Sequence, residues 1–395
     1  MASHGVARPA TVISRTEQEK AREIKEIQEY RELENTLRVK VAEQGYTLET
    51  FNLTSKLLKK NPEYYTLWNI RRRVLLYSLF STSLSTSLHS SEQATISATS
   101  CTLQTLHHAA KPEPECQEHD KEQENHVLRL ITSDLEFLFP IMLKFPKCYW
   151  IWNYRLWLLQ QANERLNPKT SRELWTKEMK LVAKMLTKDS RNFHGWGYRR
   201  IVVAQLESSK LKGSSMVESE FEYTTKMINA PNGLSNFSAW HWRSKLIPHL
   251  LNERGLDSSA RRQFLNNEFD LIISAMYTDS YPYQQSAWFY YQFLMTALME
   301  PDLCHIVLDF NTRERCEYVQ QQLEVLKEML DGAEDCKWIY NALIDYTLAL
   351  RQLEKRKLLS GDKLDCKIWL KALKALDPFR IGRWDDFEDT LETFS

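Results

Sequence analysis

Lys147 is the candidate in this 395-residue chain for chemistry on an anion. It stands in the stretch Phe145–Arg155, two residues before Tyr149, where the sequence predicts that a helix begins. A lysine is a compact positive charge that can follow a phosphate oxygen, and the first turn of a helix favours an anion. Three related stretches have other residues at the matching place: Glu63, Arg191 and Ser235. The fold therefore does not require this lysine, and the residues alone leave an anion contact and a solvated surface lysine both open.

The spacing of cysteines and histidines gives little support for a metal site. Cys116 and His119 are the one Cys/His pair with the spacing of metal ligands. Only His107 and His108 could supply the other two ligands of a tetrahedral site. We interpret the pair as a chance occurrence. Cys148, next to the lysine, would have a lowered thiol pKa if it were exposed, but a buried structural thiol is the simpler prediction.

The composition excludes several classes of protein. Lys plus Arg and Asp plus Glu both number 52, so no overall positive charge points to nucleic acid. No apolar run reaches the roughly 18 residues of a transmembrane helix, and the first residues lack the apolar core of a secretory signal. Seven cysteines without paired spacing indicate reduced thiols, so we predict a cytoplasmic protein.

The elements that must position Lys147 belong to a repeat. The pattern aromatic-x-x-Trp-x-x-Arg occurs four times, around Trp68, Trp152, Trp196 and Trp240, and weaker copies surround Trp288 and Trp338. Most of these tryptophans are about 44 to 50 residues apart, a period that with two helices per unit predicts an α-solenoid. We predict that each Trp is a wedge between repeats. Each Arg lies one turn later on the same helix face and should reach a carboxylate or helix-end carbonyls in the next repeat. These arginines are Arg71, Arg155, Arg199 and Arg243.

The chain divides into three predicted parts. Residues 1–14 are a flexible N-terminus, and residues 15–395 form a single α-helical repeat domain. A disordered insert over 81–125, rich in Ser, Thr, Pro and Glu, interrupts that domain. The insert explains why the first two tryptophans of the repeat are almost twice as far apart as the others.

The repeat resembles that of protein prenyltransferase α subunits over about Leu53 to Trp384. Within that family, three stretches look like Rab geranylgeranyltransferase, the type II enzyme. They are Asn61-Pro-x-x-x-x-Leu-Trp-Asn-x-Arg-Arg72, Asp189-x-Arg-Asn-Phe-His-x-Trp-x-Tyr-Arg-Arg200 and Asn236-Phe-Ser-x-x-x-x-Arg243-Ser. The pair His4-Gly5 near the N-terminus is similar to that enzyme as well.

The resemblance implies an all-α fold, an α-α superhelix of helix pairs, and a heterodimer with a β subunit. The β subunit would bind zinc and most of the isoprenoid, and this chain would bind no metal. The reaction would transfer geranylgeranyl from geranylgeranyl diphosphate to C-terminal cysteines of Rab GTPases presented by an escort protein. In this family Lys147 and Tyr149 would contact the departing diphosphate. His4 would be able to make an inhibitory contact to the β-subunit zinc, although a free, mobile histidine is the simpler interpretation.

Two alternatives remain open at this point. The chain could be the α subunit shared by farnesyltransferase and the type I enzyme, which act on CaaX proteins. It could also be a helical-repeat scaffold that kept the fold without catalysis. His194 and His241 are plausible contacts to the β subunit, although ordinary packing explains them equally well.

Overall fold

The computed structural model describes residues 16–80, 114–278, 283–300 and 306–393. Within these ranges every regular element is a helix, which confirms the predicted all-α class. The α-helices are α1 Glu17–Ala42, α2 Leu48–Lys60, α3 Tyr65–Val74, α4 Pro114–Lys144, α5 Tyr149–Arg165, α6 Pro168–Lys188, α7 Phe193–Glu207, α8 Val217–Ile228, α9 Phe237–Glu253, α10 Ser258–Met276, α11 Gln285–Met299, α12 Thr312–Leu330, α13 Lys337–Leu353, α14 Ser360–Leu376 and α15 Ile381–Thr393. A π-helical turn at Leu75–Leu79 continues α3, and short 3-10 turns lie at Ser209–Leu211, Gly233–Ser235 and Pro378–Arg380.

The helices pack in pairs, as the repeat predicts. The first helix of a pair contacts the second, as α2 contacts α3 in the first unit and α8 contacts α9 in the second. Second helices also contact one another across repeats, so α3 packs on α5 and α11 packs on both α9 and α13. These shared contacts bury the apolar faces that a single helix pair would leave in water.

The described residues form two compact units, whereas the sequence predicts one repeat domain. The first unit runs to Lys180 and includes Ser208–Lys212, and the second contains Leu181–Glu207 and the chain from Gly213 onward. A repeat array allows such a division because each repeat contacts only the repeats next to it.

The predicted flexible segment 1–14 and residues 81–113 of the predicted insert lie outside the described residues. The rest of the insert, 114–125, is helical and forms the first turns of α4, so the predicted disorder is wrong there. The Nε2 of Gln123 donates a hydrogen bond to the carbonyl of Phe80 at 2.7 Å. The run is poor in apolar residues but rich in Glu, Gln and Lys, which are good helix formers. Low hydrophobicity by itself does not distinguish a solvated helix from a loop.

In the four full copies of the motif, the tryptophan is buried and holds the turn before its own helix. In every case the indole Nε1 donates to the carbonyl of the residue six positions earlier. The pairs are Trp68 with Pro62, Trp152 with Pro146, Trp196 with Ser190, and Trp240 with Leu234, at 2.8 to 3.0 Å. The rings also contact the next repeat. The ring centroids of Trp68 and Tyr154 are 5.0 Å apart, and those of Trp240 and Tyr290 are 4.6 Å apart. The predicted wedge role is confirmed for Trp68 and Trp240, and all four tryptophans have a second role in fixing the start of their helices.

The repeated arginines form buried ion pairs with the first helix of the next repeat, as predicted. The pairs are Arg71 with Asp134, Arg155 with Glu178, Arg199 with Glu220, and Arg243 with Glu268, at 2.5 to 2.7 Å. Most are bidentate, which is the geometry that a planar guanidinium favours. Both charges of each pair are removed from water. Loss of the acid would therefore leave a buried arginine without a counter-charge, which lowers the stability of the fold.

Candidate functional site

The second helices of four repeats begin with an exposed aromatic side chain. The first residues of α3, α5, α7 and α9 are Tyr65, Tyr149, Phe193 and Phe237, and their exposed fractions are 45, 52, 68 and 48 %. The tryptophan three residues later is buried in each case, so the motif places one aromatic in the core and one in water. Scattered exposed hydrophobic residues are ordinary, but a repeated set at equivalent positions indicates a contact surface.

In the first unit these aromatics form a cluster beside Lys147. The ring of Trp150 lies 4.4 Å from that of Tyr65, between centroids, and 5.3 Å from that of Tyr149 in an edge-to-face arrangement. Lys147 is exposed and stands in the turn between α4 and α5. Lys147 and Tyr149 are two residues apart at the N-terminal end of α5. This arrangement offers a flexible cation and a phenol to an anion at the edge of an apolar surface.

Cys148 caps the same helix and is fully buried, which confirms the prediction of a structural thiol. Burial raises the pKa of this thiol to about 11. Its sulfur lies 3.5 Å from the carbonyl of Pro62. A buried, protonated thiol is a poor nucleophile. Cys148 therefore has a packing role between the repeats and no catalytic role.

We expect Cys148 to resist alkylation in the folded protein. With its pKa near 11, only about one thiol in a thousand is ionised at pH 8, against a substantial fraction for a free cysteine. Iodoacetamide treatment followed by peptide mass spectrometry measures this, with the same chain in denaturant as the control. Rapid labelling of native Cys148 would contradict the buried thiol.

Two asparagines that the sequence reasoning treated only as motif letters position the third and fourth repeats. The side-chain oxygen of Asn192 accepts from the backbone N–H of His194 at 3.1 Å and of Gly195 at 3.3 Å. Asn236 accepts from the N–H of Ala239 at 3.2 Å and donates to the carbonyl of Ser190 at 2.7 Å. Asparagine is a favoured N-cap residue. Its position directly before the aromatic that begins the helix was the sequence signal for this capping role.

The two histidines of the motif lie on this contact surface. His194 is half-buried, and its ring centroid lies 4.0 Å from that of Phe193. His241 is exposed and stacks at 12° on Phe237, with 5.8 Å between centroids. Both positions agree with the predicted contacts to a partner, which stay predictions.

The described residues contain no group of three or more His, Cys, Asp or Glu side chains arranged to hold a metal ion. His4, His107 and His108 lie outside the described residues, as do the side chains of Cys116 and His119. The location of zinc in a β subunit stays a prediction. None of the helices in the described part of the chain combines the length and the apolar character that crossing a membrane requires.

Comparison with known proteins agrees with the repeat. The family model for the protein prenyltransferase alpha subunit repeat matches residues 48–78, 131–162 and 175–206. Geranylgeranyl transferase type-2 subunit alpha of Saccharomyces cerevisiae is 33 % identical over 288 residues, which cover 73 % of this chain and 70 % of that one. The protein of the same name from Schizosaccharomyces pombe is 29 % identical, with 99 % of each chain covered. The mouse protein of that name is 31 % identical, and the match covers 67 % of this chain and 36 % of the mouse chain.

A solved structure shows the same fold. It is that of Candida albicans protein geranylgeranyltransferase-I complexed with GGPP, which matches with a TM-score of 0.56 and 19 % identity. The match covers 92 % of this chain and 91 % of the other. Together with the family model, it confirms the fold class predicted from the repeat.

Proposed function

The chain belongs to the protein prenyltransferase α-subunit family, and from that membership we propose that it is the α subunit of a type II geranylgeranyltransferase. It would act as a heterodimer with a β subunit on Rab GTPases presented by an escort protein. The observation that carries the proposal is the similarity to type-2 alpha subunits from end to end, including the fission yeast protein. A cytoplasmic location, predicted from the reduced thiols, is part of the same proposal.

The reaction joins a substrate cysteine to the isoprenoid. The thiolate sulfur forms a bond to C1 of geranylgeranyl diphosphate, the C1–O bond breaks, and diphosphate leaves with the electron pair. Zinc in the β subunit would hold the sulfur as a thiolate. In this proposal Lys147 and Tyr149 contact the diphosphate as its negative charge grows. The position of both residues at the start of α5, next to an exposed aromatic cluster, supports that role.

The exposed aromatics support a partner subunit. In the second unit Phe237 lies 5.7 Å from Phe289, and Phe289 lies 6.4 Å from Trp338, between ring centroids. Three consecutive second helices therefore present a continuous row of rings. Aromatic residues are enriched at protein interfaces because they bury a large area at low entropic cost.

We expect the chain to copurify in equal amounts with a prenyltransferase β subunit when the two are expressed together. The complex should transfer geranylgeranyl to a Rab–escort complex and not to a CaaX peptide. Turnover of CaaX peptides alone would replace the type II proposal by the shared subunit of the alternative enzymes. Failure to associate with any prenyltransferase β subunit would favour the non-catalytic scaffold.

Replacing Phe237 by serine should weaken this heterodimer by about 10-fold or more, as expected for an aromatic contact residue. Tyr277 is a matched control, because it is 54 % exposed at the end of α10, outside the row. Tyr277→Ser should leave the affinity unchanged. Equal effects of the two substitutions, measured by subunit titration, would argue against the aromatic row as the contact surface.

A further inference from the structure

Among the described residues of the second unit, one group of cations forms no ion pair with an acid. Arg199 forms a buried ion pair with Glu220, but the next residue on α7, Arg200, is half-buried without one among the described residues. Burial lowers the pKa of Arg200. Its guanidinium carbon lies 5.8 Å from the ring centroid of Trp242 on α9. Arg200 therefore takes no part in the buried ion pairs that connect neighbouring repeats.

His241 and Lys245 extend the group on α9. They are four residues apart and so occupy neighbouring positions on one exposed helix face. Burial, followed by the charges of Arg200 and Lys245, lowers the pKa of His241. The Arg200 guanidinium lies over Trp242, the residue after His241, and we call Arg200, His241 and Lys245 the cation cluster. Because the pKa of His241 is lowered, the positive charge of the cluster at neutral pH is that of Arg200 and Lys245. Like charges brought together on one surface destabilise the free chain.

A cavity of about 240 Å³ opens beside the cluster. His241 and Lys245 line it from α9, and Phe289 and Phe293 line it from α11. Its nine lining residues include no carboxylate. The apolar walls lower the local dielectric, so an ion pair formed here would be stronger than one in water.

Lys245 also faces a second cavity, which Glu207 and Glu253 help to line. Neither acid forms an ion pair with Lys245 in the described part of the chain. Glu207 accepts a hydrogen bond from the backbone N–H of Met216 at 2.8 Å instead. Within the described residues, the two carboxylates that line this second cavity therefore do not pair with Lys245.

We propose that the cavity between α9 and α11 receives an aspartate or glutamate side chain of the β subunit, whose carboxylate pairs with the cation cluster. This inference rests on the proposed function. The cavity is continuous with the aromatic row, because Phe237 and Phe289 belong to both. Its volume of about 240 Å³ has room for a carboxylate side chain. Complementary charge at such a point fixes the register of two subunits and speeds their association.

Zero-length crosslinking of the assembled heterodimer tests the proposal directly. A carbodiimide activates a carboxylate, which then forms an amide with a lysine amine in contact, releasing the urea. We expect peptide mass spectrometry to find Lys245 joined to an acidic residue of the β subunit. Lys226 on α8, an exposed lysine away from the cavity, should give no such product.

Charge-removing variants provide the second measurement. Lys245→Met and Arg200→Met should each weaken the heterodimer by about 10-fold at low salt and reduce the salt dependence of the affinity. The free chain should melt at the same or a higher temperature, because repulsion is relieved. Lys226→Met should change neither quantity. A structural role for the cluster would instead lower the melting temperature of the free chain.

The outcomes separate the two proposals. A wild-type chain that binds no β subunit overturns the proposed function, and this inference falls with it. A heterodimer that assembles but shows no Lys245 crosslink and no affinity loss in either variant overturns this inference alone. Inorganic diphosphate is the probe for a small-anion site. If it raises the melting temperature of the free chain, and Lys245→Met abolishes that rise, the cluster binds a small anion and not a partner carboxylate.

Discussion

Replacing Lys147 by alanine is expected to slow the chemical step of the heterodimer by about 10-fold or more, without preventing assembly. Negative charge grows on the diphosphate as the C1–O bond breaks, and a cation placed there stabilises the transition state more than the bound substrate. Lys147 is exposed at the start of α5 and outside the buried ion-pair ladder, so the fold should not depend on it. The measurement is the single-turnover rate with enzyme in excess over geranylgeranyl diphosphate.

Arg191 provides the matched control for this experiment. It occupies the same place before α7 that Lys147 occupies before α5, and it is likewise an exposed cation. Arg191→Ala should leave the single-turnover rate within about twofold of the wild type, whereas Tyr149→Phe tests whether the neighbouring hydroxyl contributes. If Lys147→Ala turns over at the wild-type rate, the lysine is an ordinary surface charge and the diphosphate contact is wrong.

Replacing Glu178 by alanine is expected to lower the free energy of unfolding by about 3–5 kcal/mol. The pair with Arg155 lies within the first unit, and both side chains are at most 3 % exposed. Arg155 also donates to the carbonyl of Leu135 at 2.7 Å, so it cannot turn to water without losing that contact. The variant would leave a buried guanidinium without its acid, which is the costly half of breaking such a pair. Urea denaturation followed by circular dichroism measures the change.

A double variant distinguishes a buried charge from lost packing. Arg155→Met combined with Glu178→Leu should recover most of the stability, because two apolar side chains of similar volume carry no desolvation penalty. An exposed pair, Arg313 with Glu317 on α12, is the control, and Arg313→Ala should cost no more than about 1 kcal/mol. If the double variant were as unstable as Glu178→Ala alone, packing and not charge would explain the loss.

The repeat was predictable because its signals are local. A buried Trp, an Arg one turn later and a Pro or Asn before the helix are spaced by helix geometry, so the sequence displays them directly. The prediction of all-α helix pairs is confirmed for the described residues, as is the pairing of the arginines with acids of the next repeat. Residues 114–125 were assigned wrongly because composition reports hydrophobicity and not the contact that orders a polar helix.

The candidate site was predictable only in part. The roles of Lys147 and Tyr149 stay predictions, whereas the sequence correctly located the aromatic that begins each second helix. It did not indicate that these aromatics are exposed while the tryptophans three residues later are buried, since both are large and apolar. The depth of a residue depends on which helix packs against it, and only the folded chain determines that.

By itself the sequence determined the helix pairs, the period of the repeat and the family, and it marked Lys147 in the second copy. The tertiary structure decided which side chains meet. The acids of the buried pairs lie 63, 23, 21 and 25 residues after their arginines, so no constant spacing identifies them in the sequence. Arg200 and Trp242 likewise lie on different helices and come together only through packing. Neighbours within a helix follow from its 3.6-residue turn, whereas neighbours between helices follow from loop length and side-chain shape, which no local pattern encodes.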